Sequence, residues 1–117
     1  APTLLLALMQ PSSGGEADLD RWYRQEHNQQ MSEQPGWLRT RRFSLLGQHG
    51  RNDGEEELAF LAVHEFGEGH GLGVKVQAVE PVSAWTIKVV SEARGIDAAI
   101  YHLVEEQEEE EEGRRGQ

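Results

Sequence analysis

Tyr23, Glu26 and His27 stand close together in the run Asp20-Arg21-Trp22-Tyr23-Arg24-Gln25-Glu26-His27. An imidazole with an ordinary pKa of about 6.5 can give or take a proton at neutral pH, the step needed to enolise, isomerise or decarboxylate a ketone or phenol. Tyr23 could donate its phenolic proton to a developing enolate oxygen, and Glu26 could orient His27 or act as a base itself. Neighbours on a helix point about 100° apart, so a Glu26–His27 bond does not follow from adjacency. Each residue also has a plainer role. His27 could bond a backbone carbonyl, Tyr23 could pack in the core with its hydroxyl at the edge, and Glu26 could sit on a solvated face or cap a neighbouring loop.

Polar groups on apolar stretches form a second set. His64 shares its side of a strand with Phe60 and Ala62, and His102 shares its side with Ile100 and Val104, so both could be buried and satisfied or could form a polar pocket wall. Arg39, Arg41 and Arg42 could bind a carboxylate or phenolate through their guanidinium forks, or form surface ion pairs. Trp22, Trp37, Phe43, Phe60 and Trp85 are available to line or close an apolar cleft. The run from His64 to His70 contains two histidines and two glutamates, but not at His-Glu-x-x-His spacing and with glycines that discourage a helix. No metal or other cofactor is assigned. The alternating glycines from Gly67 to Gly73 lack the pattern of a phosphate loop and read as a connector.

The elements that must position these groups follow from periodicity. Leu4-Leu5-Leu6-Ala7-Leu8-Met9 reads as a first strand, apolar on both faces, and it is far too short to span a membrane. From Glu16 to Gln34 the residues Leu19, Trp22, Tyr23, Glu26, His27, Gln30 and Met31 recur along one helical face, with Ser13 or Asp18 as candidate cap and Pro35-Gly36 as stop. Trp37 to Leu46 reads as a strand of partial alternation, and Leu58 to Phe66 as its hairpin partner across a long turn-rich loop. Val82 or Ser83 to about Ala93 is helical, with Trp85, Val89 and Ala93 on one face. Ile96 to Val104 alternates as a last strand. Strand, helix, strand, strand, helix, strand is the split β-α-β order of a ferredoxin-like α+β domain with a four-stranded antiparallel sheet.

Both helices of such a domain cover the same sheet face. The other face would be left without cover, yet both sides of the first strand (Leu4, Leu6, Leu8 and Leu5, Ala7, Met9) and of the third (Phe60, Ala62 and Leu61, Val63) are apolar, so pairing of two chains through their sheets is the economical cover.

Composition narrows the chemistry. The 117 residues support one domain, and the absence of cysteine excludes thiol catalysis, thiolate metal sites and disulfides, consistent with a cytoplasmic setting. The net charge of −10 argues against nucleic acid or an anionic membrane as partner. Half of that charge belongs to residues 105–117, a glutamate-rich tail expected to be disordered, leaving a mildly acidic domain over residues 1–104.

The aromatic-x-x-Glu-His run Tyr23-Arg24-Gln25-Glu26-His27, followed by Pro35-Gly36-Trp37 and a strand with Arg41-Arg42-Phe43, resembles the dimeric α+β-barrel superfamily, particularly EthD-like proteins. Trp85-Thr86 before the last strand is similar to fungal members of that group. The resemblance covers about residues 3–104. It implies two chains joined sheet to sheet as a barrel, each with a cleft between sheet and helices. The superfamily includes cofactor-independent isomerases, polyketide cyclases and decarboxylases, quinone-forming monooxygenases and haem-binding enzymes, so fold alone does not select a reaction. The resulting expectation is a homodimeric acid–base enzyme without a redox cofactor, acting on a hydrophobic aromatic or polyketide-like compound. Its catalytic residues would be His27, Tyr23 and Glu26, and its ligand-binding residues Trp22, Trp37, Arg41, Phe43, Phe60, His64, Trp85 and His102. A non-catalytic dimer that binds a small molecule or supports a larger enzyme is the alternative, and a haem-binding or monooxygenase relative is a third.

Overall fold

The computed structural model describes residues 2–48, 57–73 and 82–108. Four strands, β1 (Thr3–Gln10), β2 (Trp37–Ser44), β3 (Phe60–Phe66) and β4 (Gly95–His102), form one sheet in the order β2-β3-β1-β4, with every neighbouring pair antiparallel. Between β1 and β2 the chain runs through α1 (Glu16–Trp22), a π-helical turn (Tyr23–His27) and α2 (Asn28–Ser32), which follow without a break as one rod. α3 (Ala84–Glu92) precedes β4. This α+β architecture is compatible with the ferredoxin-like order expected from the periodicity. No described helix is long and apolar enough to cross a membrane.

Strand register assigns the faces. Leu5, Ala7 and Met9 of β1 stand opposite His64, Ala62 and Phe60 of β3 on one side, and opposite Ile100, Ala98 and Ile96 of β4 on the other. All of these point toward the helices. There Met9, Leu19, Trp22, Tyr23, Ala62 and Val89 make one buried cluster, with Trp85 and Phe60 packed against it. Leu5, Met31 and Phe66 make a second, flanked by Trp37 and Ile100. The opposite face carries Leu4, Leu6, Leu8, Leu61 and Val63, which are only partly buried. The two-sided apolarity of β1 is therefore covered on one side within a single chain.

Several boundaries differ from expectation, each for a local reason. The first helix is capped by Gly15 with no side-chain hydrogen bond, not by Ser13 or Asp18. A tight turn, closed by the Gly15 amide donating to the Ser12 carbonyl with Gly14 at φ +78°, occupies the positions a capping side chain would need. At the other helix, Ser83 caps α3 by accepting from the Thr86 amide. β2 ends at Ser44 and β4 at His102, short of Leu46 and Val104, which are almost fully exposed. Most of the loop expected before β3 and the segment 74–81 lie outside the described residues, as do residues 109–117 of the tail.

β2 contains the one irregularity of the sheet with consequences for the site. Trp37 pairs with Phe66 and Arg39 with Glu65, so Leu38 is an extra residue and the alternation shifts there. Trp37, Thr40 and Arg42 consequently share the helix-covered side, while Arg39, Arg41 and Phe43 share the outer side.

Candidate functional site

The π-helical turn determines how the helix presents its aromatic groups. The Asn28 amide donates to the Tyr23 carbonyl, a five-residue step that inserts one residue into the helical ladder. Residues five apart in a regular α-helix point about 140° away from each other. Here Trp22 and His27 instead stack, with ring centroids 4.2 Å apart and planes inclined by 13°. Tyr23 meets His27 edge-on at 5.5 Å, and His64, arriving from β3, meets it edge-on at 6.1 Å.

These rings lie along a cleft of about 230 Å³ between the sheet and both helices. Its walls are mostly apolar, with Leu5, Met9 and Met31 among them. Polar groups come from Tyr23, His27, Gln30, His64 and Thr86. No Asp, Glu, Lys or Arg lines it among the described residues. Val90 and Ile96 line the cleft yet are nearly half exposed, which locates its mouth between α3 and β4.

His64 is almost completely buried and is held by a short relay. Trp37 Nε1–H donates to Thr40 Oγ1 at 3.0 Å, and Thr40 Oγ1 lies 2.8 Å from His64 Nδ1. Burial pulls the His64 pKa down to about 4, with the neighbouring His27 acting in the same direction, so the ring is neutral at pH 7. His27 is also pulled below its ordinary value by burial, against opposing effects from a hydrogen bond with Gln30 and the nearby Glu26 charge. Its Nδ1 is buried without a hydrogen-bond partner. Tyr23 is pushed up to about 12 by burial, against the Arg42 guanidinium 4.7 Å over its ring, and is therefore a neutral phenol.

Glu26 is engaged elsewhere. Its Oε2 accepts from Ser83 Oγ at 2.6 Å, Thr86 Oγ1 at 3.0 Å and Trp22 Nε1 at 3.2 Å, fastening the helical rod to the start of α3. The Ser83 bond, followed by those of Thr86 and Trp22, holds its carboxyl below the usual range despite partial burial. Trp22 Nε1 also approaches Thr86 Oγ1 at 3.1 Å, so one polar cluster fixes the outer edge of the Trp22–His27 stack.

The remaining expected site residues divide by position. Trp37 acts behind His64 through Thr40 and does not line the cleft. Arg41 lies on the outer sheet face with its guanidinium 5.8 Å from the Phe43 ring, so neither residue belongs to the cleft. Phe43 and Phe60 instead border a separate depression with Arg42 and Tyr23. Trp85 packs on the core and donates from Nε1 to Asp18 at 3.3 Å. His102 stands at the end of β4, where Nδ1 lies 2.8 Å from Thr3 Oγ1. His64 and Glu65 alternate to opposite faces, and His70 Nδ1 accepts from the Leu72 amide, so the ligand-rich segment does not converge. Among the described residues no group of three or more metal-ligating side chains gathers.

Sequence reading did not single out Thr40, and it marked Thr86 only in the Trp85-Thr86 likeness and gave it no role in the site, because a threonine in a strand or first helical turn carries no periodic signal of its own. Gln30 was marked only as a member of the helical face. Its contact with His27 depends on the turn that precedes it.

No family model, curated protein or solved structure matches this chain.

Proposed function

We propose that the protein is a small acid–base enzyme acting without a redox cofactor on a hydrophobic aromatic or polyketide-like compound, and that it works as a homodimer of EthD-like, dimeric α+β-barrel type. The observation that carries this reading is His27: a neutral imidazole with an unpaired buried nitrogen, stacked on Trp22 and lining an uncharged cleft. An orphaned buried ring nitrogen is costly to keep, and a π-helical turn is often found at functional sites. Both features mark this stretch of helix as shaped for more than packing.

His27 takes a proton from the carbon beside a ligand carbonyl. The C–H electron pair becomes a C=C bond and the charge moves to oxygen, where Tyr23 or His64 stabilises it by hydrogen bonding. Return of the proton to the same carbon completes an exchange and to another carbon an isomerisation; in ring closure the enolate carbon instead bonds to a second carbonyl carbon of the ligand, whose π pair moves to oxygen and takes the proton from His27, and no oxidant is consumed. Glu26 serves as a positioning residue through its bonds to Trp22, Ser83 and Thr86.

The dimer would form through the outer sheet faces. Partly buried leucines occupy the centre of that face, with Arg41 near one edge and Asp97 near the other, and neither has an ion-pair partner among the described residues. An apolar centre with opposite charges at opposite edges is self-complementary under a two-fold axis.

Deuterium wash-in beside the carbonyl of a panel of aromatic ketones, followed by proton NMR in D₂O, tests the chemistry before the natural substrate is known. Wild-type protein should accelerate exchange, and His27→Ala should lose about 10²-fold or more while keeping its fold. An unchanged rate in His27→Ala refutes the assignment.

A further inference from the structure

Among the described residues, the charged groups near the cleft are turned away from it. Arg42 pairs with Asp20 and covers the outer side of Tyr23, Lys88 approaches Asp18, Arg39 pairs with Glu65 on the other sheet face, and Glu26 is consumed at the α3 cap. The described residues that face the cleft supply an apolar floor and a few neutral polar atoms. A carboxylate entering this space would lose its water without gaining a cation.

The relay behind His64 defines what it can offer. Trp37 Nε1–H can only donate, so Thr40 Oγ1 accepts from it, and the Thr40 hydroxyl proton is left available to donate to His64 Nδ1. When Thr40 donates in this way, the ring's own proton sits on Nε2, and His64 presents an uncharged N–H donor suited to a carbonyl oxygen.

Resting on the acid–base reading of the same cleft, we infer that its ligand is an uncharged aromatic ketone whose carbonyl oxygen accepts from His64 Nε2–H, and that the cleft rejects carboxylates. Specificity is set by the lack of a cation at the cleft among the described residues as much as by the donor. Among the reactions open to the fold, this assigns enolisation leading to isomerisation or ring closure, and it sets aside decarboxylation, whose substrate must enter as a carboxylate.

The test compares three bicyclic probes of similar shape at pH 7.5: 1-tetralone, a neutral ketone; 1-naphthoate, a carboxylate; and tetralin, which has no oxygen. Quenching of tryptophan emission gives the affinities, and long-range ¹H–¹⁵N spectra of the histidine rings give the location and tautomer. The expected result is 1-tetralone bound at least about tenfold more tightly than either of the others, with His64 as the Nε2–H tautomer and shifts confined to His27 and His64. Val90→Lys, at the exposed mouth of the cleft, supplies a cation and should narrow the preference for ketone over naphthoate by about tenfold. Equal or tighter binding of 1-naphthoate to the wild type overturns the inference while leaving the acid–base cleft standing. Selective tetralone binding without deuterium exchange keeps the ligand class and removes His27 as base. Failure of all three to bind folded protein overturns both.

Discussion

Replacing Thr40 by valine removes one oxygen and preserves shape, which makes it a sharp probe of the relay behind His64. Two partners are orphaned at once: Trp37 Nε1–H, half-buried, and His64 Nδ1, on a residue only 1% exposed. A buried polar group left unpaired costs about 1–3 kcal/mol. Trp37 can recover part of its bond from water and belongs at the low end, whereas His64 cannot, so the substitution should cost about 3 kcal/mol in all. Urea unfolding at pH 7.5 and fixed protein concentration, followed by circular dichroism and tryptophan emission, should show the midpoint falling by roughly 1–2 M with an unchanged slope. Thr40→Ser keeps the oxygen and should restore most of the loss. A valine variant within about 0.5 kcal/mol of wild type, the range of an ordinary surface change, would refute the relay and with it the tautomer of His64.

Other consequences follow from the same geometry. Because His64 titrates at about 4 when folded and about 6.5 when unfolded, the unfolded chain binds the extra proton between these values. Stability present above pH 6.5 should therefore fall by about 3 kcal/mol on acidification to pH 4, with His27 adding in the same direction, and His64→Gln should flatten the urea midpoint over that window. Glu26→Ala removes the acceptor shared by Ser83, Thr86 and Trp22 and should lower stability by about 1–3 kcal/mol in the same urea assay. Gly36 adopts φ +79°, where an added Cβ would lie 2.8 Å from the His70 backbone nitrogen. Gly36→Ala should therefore cost more than about 1 kcal/mol, read as a lower melting temperature. The proposed sheet-to-sheet assembly requires wild-type protein to sediment as a dimer at micromolar concentration and Leu6→Lys, at the centre of the outer sheet face, to sediment as a monomer; a monomeric wild type would refute it.

Much of the architecture was legible in local patterns. A helix repeats its face every three to four residues and a strand every two, so the elements around Leu19, Val89 and Leu5 announced themselves without reference to one another. The Pro35-Gly36 stop was readable for the same reason, since turn chemistry acts over a few residues, and the start of the second helix was placed at Val82 or Ser83 without its cap being named. The helical face with Trp22, Tyr23, His27 and Met31 was also correctly grouped, and all four residues line the cleft.

Other decisions belonged to the tertiary structure. The extra residue at Leu38 shifts the alternation of β2, sending Arg41 and Phe43 outward and Thr40 inward, and a bulge is set by pairing with β3 rather than by β2 alone. The π-helical turn brings His27 under Trp22, where a regular helix would hold them apart, and the cluster of Ser83 and Thr86 from α3 secures the tryptophan in that place. Glu26 looked like a partner for His27 in the linear order and became a fastening between helices once α3 approached. The sequence by itself determined which residues could move a proton and which elements carry them. Only long-range packing decided that the two histidines meet over a cleft whose described lining carries no charge, with Arg39, Arg41 and Arg42 placed outside it, because charge exclusion and ring stacking depend on segments far apart in the chain.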